Sequence, residues 1–161
     1  MEAGTIQTNA THTTDESDID FGGDVELQDA TTLTTDGGDV VFAGTVDSAE
    51  GSNHTLTVNN PGGATIFSGE VGEDSLGSLS DNDGLGAITV QSSTVDIDSD
   101  ITSNGSVEIN AQNGITFDAS TNRQLTASGD FSATTTGSNI KLDNGSGTVT
   151  LEAASGGNVT L

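Results

Sequence analysis

A repeated stretch in the first half of the chain limits the folds open to it more than any other feature. Residues 37–47 have a near copy at residues 62–72, and both contain a glycine pair followed by Phe-x-Gly-x-Val at the same offsets. Looser versions begin at Gly22 and Gly156. We interpret each copy as a turn, whose glycines adopt positive φ, followed by a short strand with one buried face. Repetition of such a unit predicts stacked repeats.

Apolar residues recur in pairs separated by one residue, with Gly, Asn, Asp and Ser between the pairs. This spacing puts two side chains on the buried face of a strand and the residue between them on the outer face. The pairs are Ile19/Phe21, Val25/Leu27, Val40/Phe42, Leu56/Val58, Ile88/Val90, Val95/Ile97, Val107/Ile109, Ile115/Phe117, Ile140/Leu142, Val149/Leu151 and Val159/Leu161.

Three series of apolar residues predict which side chains stack on one another. Away from insertions their members are separated by about 20 residues, the length of one coil of a parallel β-solenoid with two or three short strands. An antiparallel β-sandwich remains the alternative, because the strand spacing alone permits it. The first series is Phe21, Phe42, Phe67, Ile97 and Phe117; the second is Val58, Val90, Ile109, Ala127, Leu142 and Leu161; the third is Val25, Val46, Val71 and Ile101.

The predicted domain organisation is simple. Residues 1–18 are polar and threonine-rich and form an N-terminal arm or cap, and residues 19–161 form one all-β solenoid. Residues 72–86 interrupt the regular spacing of the apolar pairs. We interpret them as a loop projecting from one corner of the solenoid, with a short extra strand at 76–79. Loops on a rigid scaffold often carry binding functions.

The charge balance excludes several classes of partner. The chain has 25 Asp and Glu against two Lys and Arg, for a net charge of -23. Direct binding of nucleic acid or of an anionic membrane surface requires cations that the chain lacks. Such a charge favours solubility, divalent cations or high salt. There is no cysteine for a disulfide framework, and the N-terminus does not resemble a signal peptide, so an exported form would be a mature piece or an excised fragment.

Residues 37–46, 56–59 and 105–117 together resemble the repeats of large bacterial surface exoproteins. The last of these, Gly-Ser-Val-Glu-Ile-Asn-Ala-Gln-Asn-Gly-Ile-Thr-Phe, is similar to the cadence of coils in filamentous-haemagglutinin-like adhesins and related β-strand-repeat proteins. The resemblance covers about residues 19–161 and concerns the repetitive shaft, not the export module. It implies a right-handed parallel β-helix, secretion to the cell surface, and a role in adhesion or as a stalk.

Acidic clusters are the candidate metal sites. Asp96, Asp98 and Asp100 alternate with apolar and small residues, so a strand would project all three carboxylates from one face toward a hard cation such as Ca2+. Asp81 and Asp83 lie in an oxygen-rich stretch that resembles a calcium loop without its closing Glu. A further cluster is Asp15, Glu16, Asp18 and Asp20. The alternative is a solvated acidic surface suited to high salt; no cofactor is required.

Catalysis has little support in the sequence. The only histidines, His12 and His54, are far apart, and no pair of carboxylates suggests itself for a glycosidase. The Thr-x-Thr pairs at 32–34 and 148–150 resemble those of ice-binding solenoids, but they do not recur at one place in successive coils, so we expect no flat threonine row.

We therefore predict a non-catalytic extracellular segment with a structural or adhesive role. Its partners would be adjoining coils, other copies of the chain, or cell-surface glycans and proteins. The alternative is a subunit of an extracellular filament or lattice that stacks end to end, because residues 159–161 stop in mid-strand. A polysaccharide-active β-helix enzyme is the third hypothesis, and it rests on fold analogy alone.

Overall fold

The computed structural model describes residues 6–8, 11–72, 84–118, 121–143, 147–153 and 156–161. These residues form strands and turns, with no helix among them. In chain order the strands are β1 (Ile6–Thr8), β2 (Thr11–Thr13), β3 (Ile19–Phe21), β4 (Val25–Leu27), β5 (Thr31–Thr34), β6 (Val40–Phe42), β7 (Val46–Ser48), β8 (Leu56–Phe67), β9 (Ile88–Ile97), β10 (Ile101–Ser103), β11 (Val107–Asp118), β12 (Arg123–Ala127), β13 (Phe131–Thr135), β14 (Ile140–Asp143), β15 (Val149–Ala153) and β16 (Val159–Thr160).

Successive coils of the chain stack on one another. Every pairing between the described strands is parallel, which confirms the all-β parallel solenoid and rules out the antiparallel sandwich. Numbered along the chain, the coils contain β1–β3, β4–β6, β7 with β8, Val71 with β9, β10 with β11, β12–β14, and β15 with β16.

Three rows of strands run along the stack. Row S1 contains β1, β4 and β7, continues through single bridges at Val71, and ends with β10, β12 and β15. Rows S2 and S3 belong to one ten-stranded sheet, because β8, β9 and β11 each run through both. S2 holds β2, β5, β13, β16 and the first halves of those long strands; S3 holds β3, β6, β14 and their second halves.

The predicted phenylalanine series is confirmed as a ladder in S3. Parallel pairing places Phe21, Phe42, Phe67, Ile97 and Phe117 in one register. The rings of Phe21 and Phe42 stack with centroids 5.2 Å apart, and those of Phe42 and Phe67 with centroids 5.1 Å apart. These distances match the spacing of parallel strands, about 4.7–4.9 Å, so the coil repeat itself brings the rings into contact.

The predicted valine series is also confirmed, and it forms the inward ladder of S1. Val25 pairs with Val46, and single bridges then join Val46 to Val71 and Val71 to Ile101. All four side chains are buried. The constant offset of four residues from the phenylalanine ladder means that the connection from S3 to S1 has the same length at the start of each of coils 2 to 5.

The second predicted series is correct only as far as Ile109. Val58, Val90 and Ile109 are in register in S2, but Ile109 then pairs with Ala133. Ala127 instead pairs with Ser103 in S1, and Leu142 pairs with Phe117 in S3. The error arose because coil 6 offers two buried alanines on neighbouring strands, and spacing cannot distinguish them.

The glycine pairs of the two close copies do not act through positive φ, contrary to our interpretation, whereas Gly156 in the last, looser copy does have a positive φ of 96°. Neither Gly38 nor Gly63 lies in the left-handed region. A Cβ on Gly63 would instead lie 2.1 Å from the carbonyl oxygen of Gly38, and one on Gly38 would lie 2.2 Å from the carbonyl carbon of Ser17. These glycines are therefore needed because the backbones of successive coils approach closely at this corner.

Buried polar side chains shape the turn that contains these glycines. In coil 2, the Thr35 hydroxyl accepts a hydrogen bond from the N–H of Gly38 at 3.1 Å. At the next position of the stack, the Asn60 Oδ1 accepts one from the N–H of Gly63 at 2.9 Å. Both side chains are fully buried, so these bonds satisfy groups that would otherwise be costly to remove from water.

Several carboxylates join one coil to the next. Asp18 accepts a hydrogen bond from the N–H of Asp39 at 2.8 Å, and Asp39 accepts one from the N–H of Ala64 at 2.8 Å. Asp24 accepts from Thr45, and Asp130 from Asn158, in the same manner. Part of the acidic composition therefore has a structural role at the turns.

We expect Asp39→Ala to lower the free energy of unfolding by about 1–2 kcal/mol, since the N–H of Ala64 loses a charge-assisted partner. Asp39→Asn keeps an acceptor oxygen and should recover at least half of that loss. Urea denaturation followed by circular dichroism measures both. Equal destabilisation by the two variants would show that charge, and not the hydrogen bond, matters at this position.

The structure describes only part of the predicted N-terminal arm at residues 1–18 and of the predicted corner loop at residues 72–86. Within residues 1–18, β1 and β2 pair with β4 and β5, so strands of coil 1 precede Ile19. Of the loop at 72–86, residues 73–83 lie outside the described part, including the strand expected at 76–79. Beyond that gap, Leu85 is buried and bridges to Ser103 in S1.

Candidate functional site

The predicted alternation at residues 96–100 is present. Asp96 lies near the end of β9, and Asp98 and Asp100 lie in the turn that leads to β10. All three side chains are partly exposed, whereas Ile97 and Ser99 between them are buried. The three carboxylates therefore leave the same side of the backbone, at the corner between S3 and S1.

The environment of Asp96 and Asp98 disfavours ionisation. Partial burial raises the pKa of Asp96 above its ordinary value of 3.8, and the negative charges of Asp98 and Asp118 add to this effect. Partial burial and then Asp118 likewise raise the pKa of Asp98. We refer to Asp96, Asp98 and Asp118 as the acidic corner. Its repulsion is of the kind that a bound cation would relieve.

Asp100 has a different role from its two neighbours. Its Oδ1 accepts a hydrogen bond from the N–H of Gln124 in the next coil, at 3.1 Å. The third carboxylate that acts on Asp96 and Asp98 is Asp118, which was not identified from the sequence and which raises the pKa of both. The pairing of Phe117 with Ile97 provides the reason, because the residues that follow those two are Asp118 and Asp98.

Both basic residues of the chain lie near the acidic corner. Lys141 pairs with Thr116, which in turn pairs with Asp96, so the three share one outward line of S3. Lys141 lowers the pKa of Asp96, and Arg123 lowers that of Asp98, although burial and the neighbouring carboxylates outweigh both. The Arg123 Nε also donates to the carbonyl oxygen of Asp118 at 3.3 Å. Coil 6 thus supplies two positive charges that partly offset the negative charge of the carboxylates in coils 4 and 5.

The other candidate residues do not extend this cluster. Asp81 and Asp83 lie outside the described residues. Asp18 is a hydrogen-bond acceptor between coils 1 and 2. His12 contacts the hydroxyl of Thr8, and His54 precedes β8 in coil 3. Within the described part of the chain, no group of three or more His, Asp or Glu side chains is arranged to hold a metal ion.

Outward threonines in S2 are in register over four coils, a line that the spacing in the sequence did not reveal. Thr11, Thr32, Thr57 and Thr89 occupy one line across coils 1 to 4. The parallel line, two residues further along each strand, is Thr13, Thr34, Asn59 and Gln91. We call these eight residues the S2 polar face.

Comparison with known proteins adds no relative: no protein-family model, curated protein or solved structure matches the chain. No helix in the described ranges is long and apolar enough to cross a membrane.

Asp96→Asn should stabilise the protein at neutral pH, because a raised folded-state pKa means that the ionised carboxylate disfavours the native state. We expect the melting temperature at pH 7 to rise by about 1–3 °C, a modest gain because the group is partly solvated. The gain should shrink as the pH falls through the folded-state pKa and vanish below 3.8, where the carboxyl is protonated in both states.

Asp20→Asn is the matched control for this measurement, since Asp20 occupies the same outward line of S3 in coil 1 and its replacement removes the same charge. Thermal melts of both variants from pH 3 to pH 8 separate local repulsion from the effect of net charge. A gain at pH 7 that is identical for the two variants would contradict the role assigned to the acidic corner.

Proposed function

We propose that this chain is a non-catalytic, extracellular β-solenoid segment of a surface exoprotein, with a structural and adhesive role. The observation that carries the proposal is the stack of parallel coils, whose buried core consists mainly of the apolar ladders. A stack of this kind holds surface groups at fixed intervals and separates whatever lies at its two ends.

The charge and the resemblance to adhesin repeats give further support. A net charge of -23 keeps such a rod soluble and separate from other anionic polymers. Outside the cell, Ca2+ is the cation that would screen the carboxylates of the acidic corner, weakly, since extracellular modules bind it with low affinity. The proposal does not require the metal.

The test is retention of intact cells on a surface coated with the purified chain, with an albumin-coated surface as the control. We expect cell retention together with no release of reducing ends from a panel of polysaccharides. Failure to retain cells, or measurable polysaccharide turnover, would contradict the adhesive or the non-catalytic part of the proposal respectively.

A second candidate function is a subunit that stacks end to end. Three apolar side chains of coils 6 and 7 favour it because they are exposed: Leu142 by 46%, Val159 by 45% and Leu161 by 59%. A further coil in the same register would cover them. Light scattering over a range of protein concentration, with Ca2+ and then with chelator, tests this candidate. Large particles that dissociate on chelation would support it, and a monomer in both conditions would refute it.

A further inference from the structure

The S2 polar face differs from the rest of the surface in its charge. None of its eight outward positions has an ionisable side chain, although the chain carries 25 Asp and Glu. The outward positions of the other rows do carry carboxylates in the same coils, at Glu26 and Asp47 in S1 and at Asp20 and Asp96 in S3. The face is therefore an uncharged strip on a strongly anionic rod.

The polar side chains of this strip also lack hydrogen-bond partners among the described residues. None of the eight side chains makes a hydrogen bond to another group within the described ranges. The next two coils differ, because Asn110 there donates to Glu108 at 2.8 Å and accepts from Thr134. The hydroxyl and amide groups of coils 1 to 4 are thus free to bind a ligand, and each type can donate and accept.

The geometry of the strip is periodic in two directions. Groups in neighbouring coils are separated by the strand spacing, about 4.7–4.9 Å, and the two lines are separated by two residues of a strand, about 6.6 Å. A single exposed hydrogen bond contributes little, because it replaces one made to water. A ligand that gains from this array must therefore contact several coils at once, as a repeating polymer does.

We infer that the S2 polar face binds a neutral, linear polysaccharide lying along the solenoid axis. The inference rests on the proposed adhesive function and assigns that function a surface and a ligand class. Sugar hydroxyls match threonine hydroxyls and Asn or Gln amides, since both sides donate and accept. Anionic polysaccharides are repelled by the net charge, and cationic partners are attracted to the carboxylates of S1 and S3 instead.

Sedimentation of the purified chain with microcrystalline cellulose and with chitin tests the inference. We expect the chain to bind at least one of these two neutral polysaccharides and to retain that binding in 1 M NaCl, because no charged group takes part. The double variant Thr57→Glu/Thr89→Glu should weaken binding by about tenfold or more, since it removes two adjacent contacts and adds charge.

Thr102→Glu/Thr126→Glu is the matched control, because these threonines are in-register neighbours on the outer side of S1. It adds the same charge to adjacent coils and should leave binding within about twofold of the parent chain. Circular dichroism and the urea midpoint confirm that both variants fold.

Three outcomes would overturn the inference. One is absence of binding to both polysaccharides, and another is equal weakening by the two double variants. The third is an oligomer that Thr57→Glu/Thr89→Glu dissociates, because the face would then be an interface between copies. Cell retention separates this inference from the proposed adhesive function. If the chain retains cells but binds neither polysaccharide, only the inference is contradicted. If it neither retains cells nor binds a polysaccharide, the adhesive function is contradicted as well.

Discussion

Replacing Phe42 with alanine should be among the most destabilising single changes in this protein, with a loss of about 3–5 kcal/mol in the free energy of unfolding. Phe42 is buried, and its ring stacks on Phe21 on one side and on Phe67 on the other. Truncation removes both ring contacts and leaves a cavity between coils that are held by backbone hydrogen bonds and cannot collapse. Urea denaturation monitored by circular dichroism gives the value directly.

Two further variants locate the source of that loss. Phe21→Ala should cost less, because Phe21 lies in coil 1, is 8% exposed and stacks on one ring only. Phe42→Leu should cost less than Phe42→Ala, since the ladder already accepts an aliphatic side chain at Ile97 in coil 4. If Phe21→Ala and Phe42→Ala were equally destabilising, stacking between coils would not be the cause.

Gly69→Ala is expected to destabilise the protein by about 1–3 kcal/mol or more, although it adds a single methyl group. A Cβ on Gly69 would lie 2.1 Å from the carbonyl oxygen of Gly44, in the coil below. Both glycines occupy the third position of Phe-x-Gly-x-Val, at the corner between S3 and S1. Because the obstacle is backbone, a side-chain rotation cannot relieve the clash, and the two coils must separate locally.

Gly22→Ala provides the control for this substitution. A Cβ on Gly22 would meet no atom within 4 Å, and its φ is not in the left-handed region. We expect its urea midpoint to equal that of the parent chain or to rise slightly, since alanine restricts the unfolded chain more than glycine does. Similar losses for Gly22→Ala and Gly69→Ala would mean that glycine flexibility, and not close packing of coils, explains the conserved spacing of the repeat unit within this chain.

The parts of the fold that were predictable share a fixed local geometry. Phe-x-Gly-x-Val sets one corner, so the ladders on either side of it, through Phe42 and Val46, could be read from spacing alone. The S2 ladder was lost after Ile109 because the connection between β12 and β13 is short and both strands present a buried alanine. Apolar periodicity identifies strands, but assigning a strand to a row requires knowing where the turns lie.

The candidate sites were less predictable, because they depend on neighbours that are distant in sequence. Asp96 and Asp98 were identified from alternation, yet their shared neighbour Asp118 belongs to the next coil and became visible only through the strand register. In the sequence Asp100 fits the same alternation as Asp96 and Asp98, but its carboxylate accepts a hydrogen bond from the backbone N–H of Gln124. The threonine line was hidden because insertions lengthen the intervals from Thr32 to Thr57 and from Thr57 to Thr89 unequally.

The nearest-neighbour pairing of coils has a mechanical consequence. Extensive contacts between described strands join strands of the same coil or of adjacent coils. A pulling force applied along the chain would therefore detach one coil at a time, and the remaining coils would stay folded. Each detached coil of about 20 residues would release roughly 70 Å of extended chain. A tether that lengthens in such steps limits the peak load on whatever it holds, and this property would suit a rod that keeps a cell attached under flow.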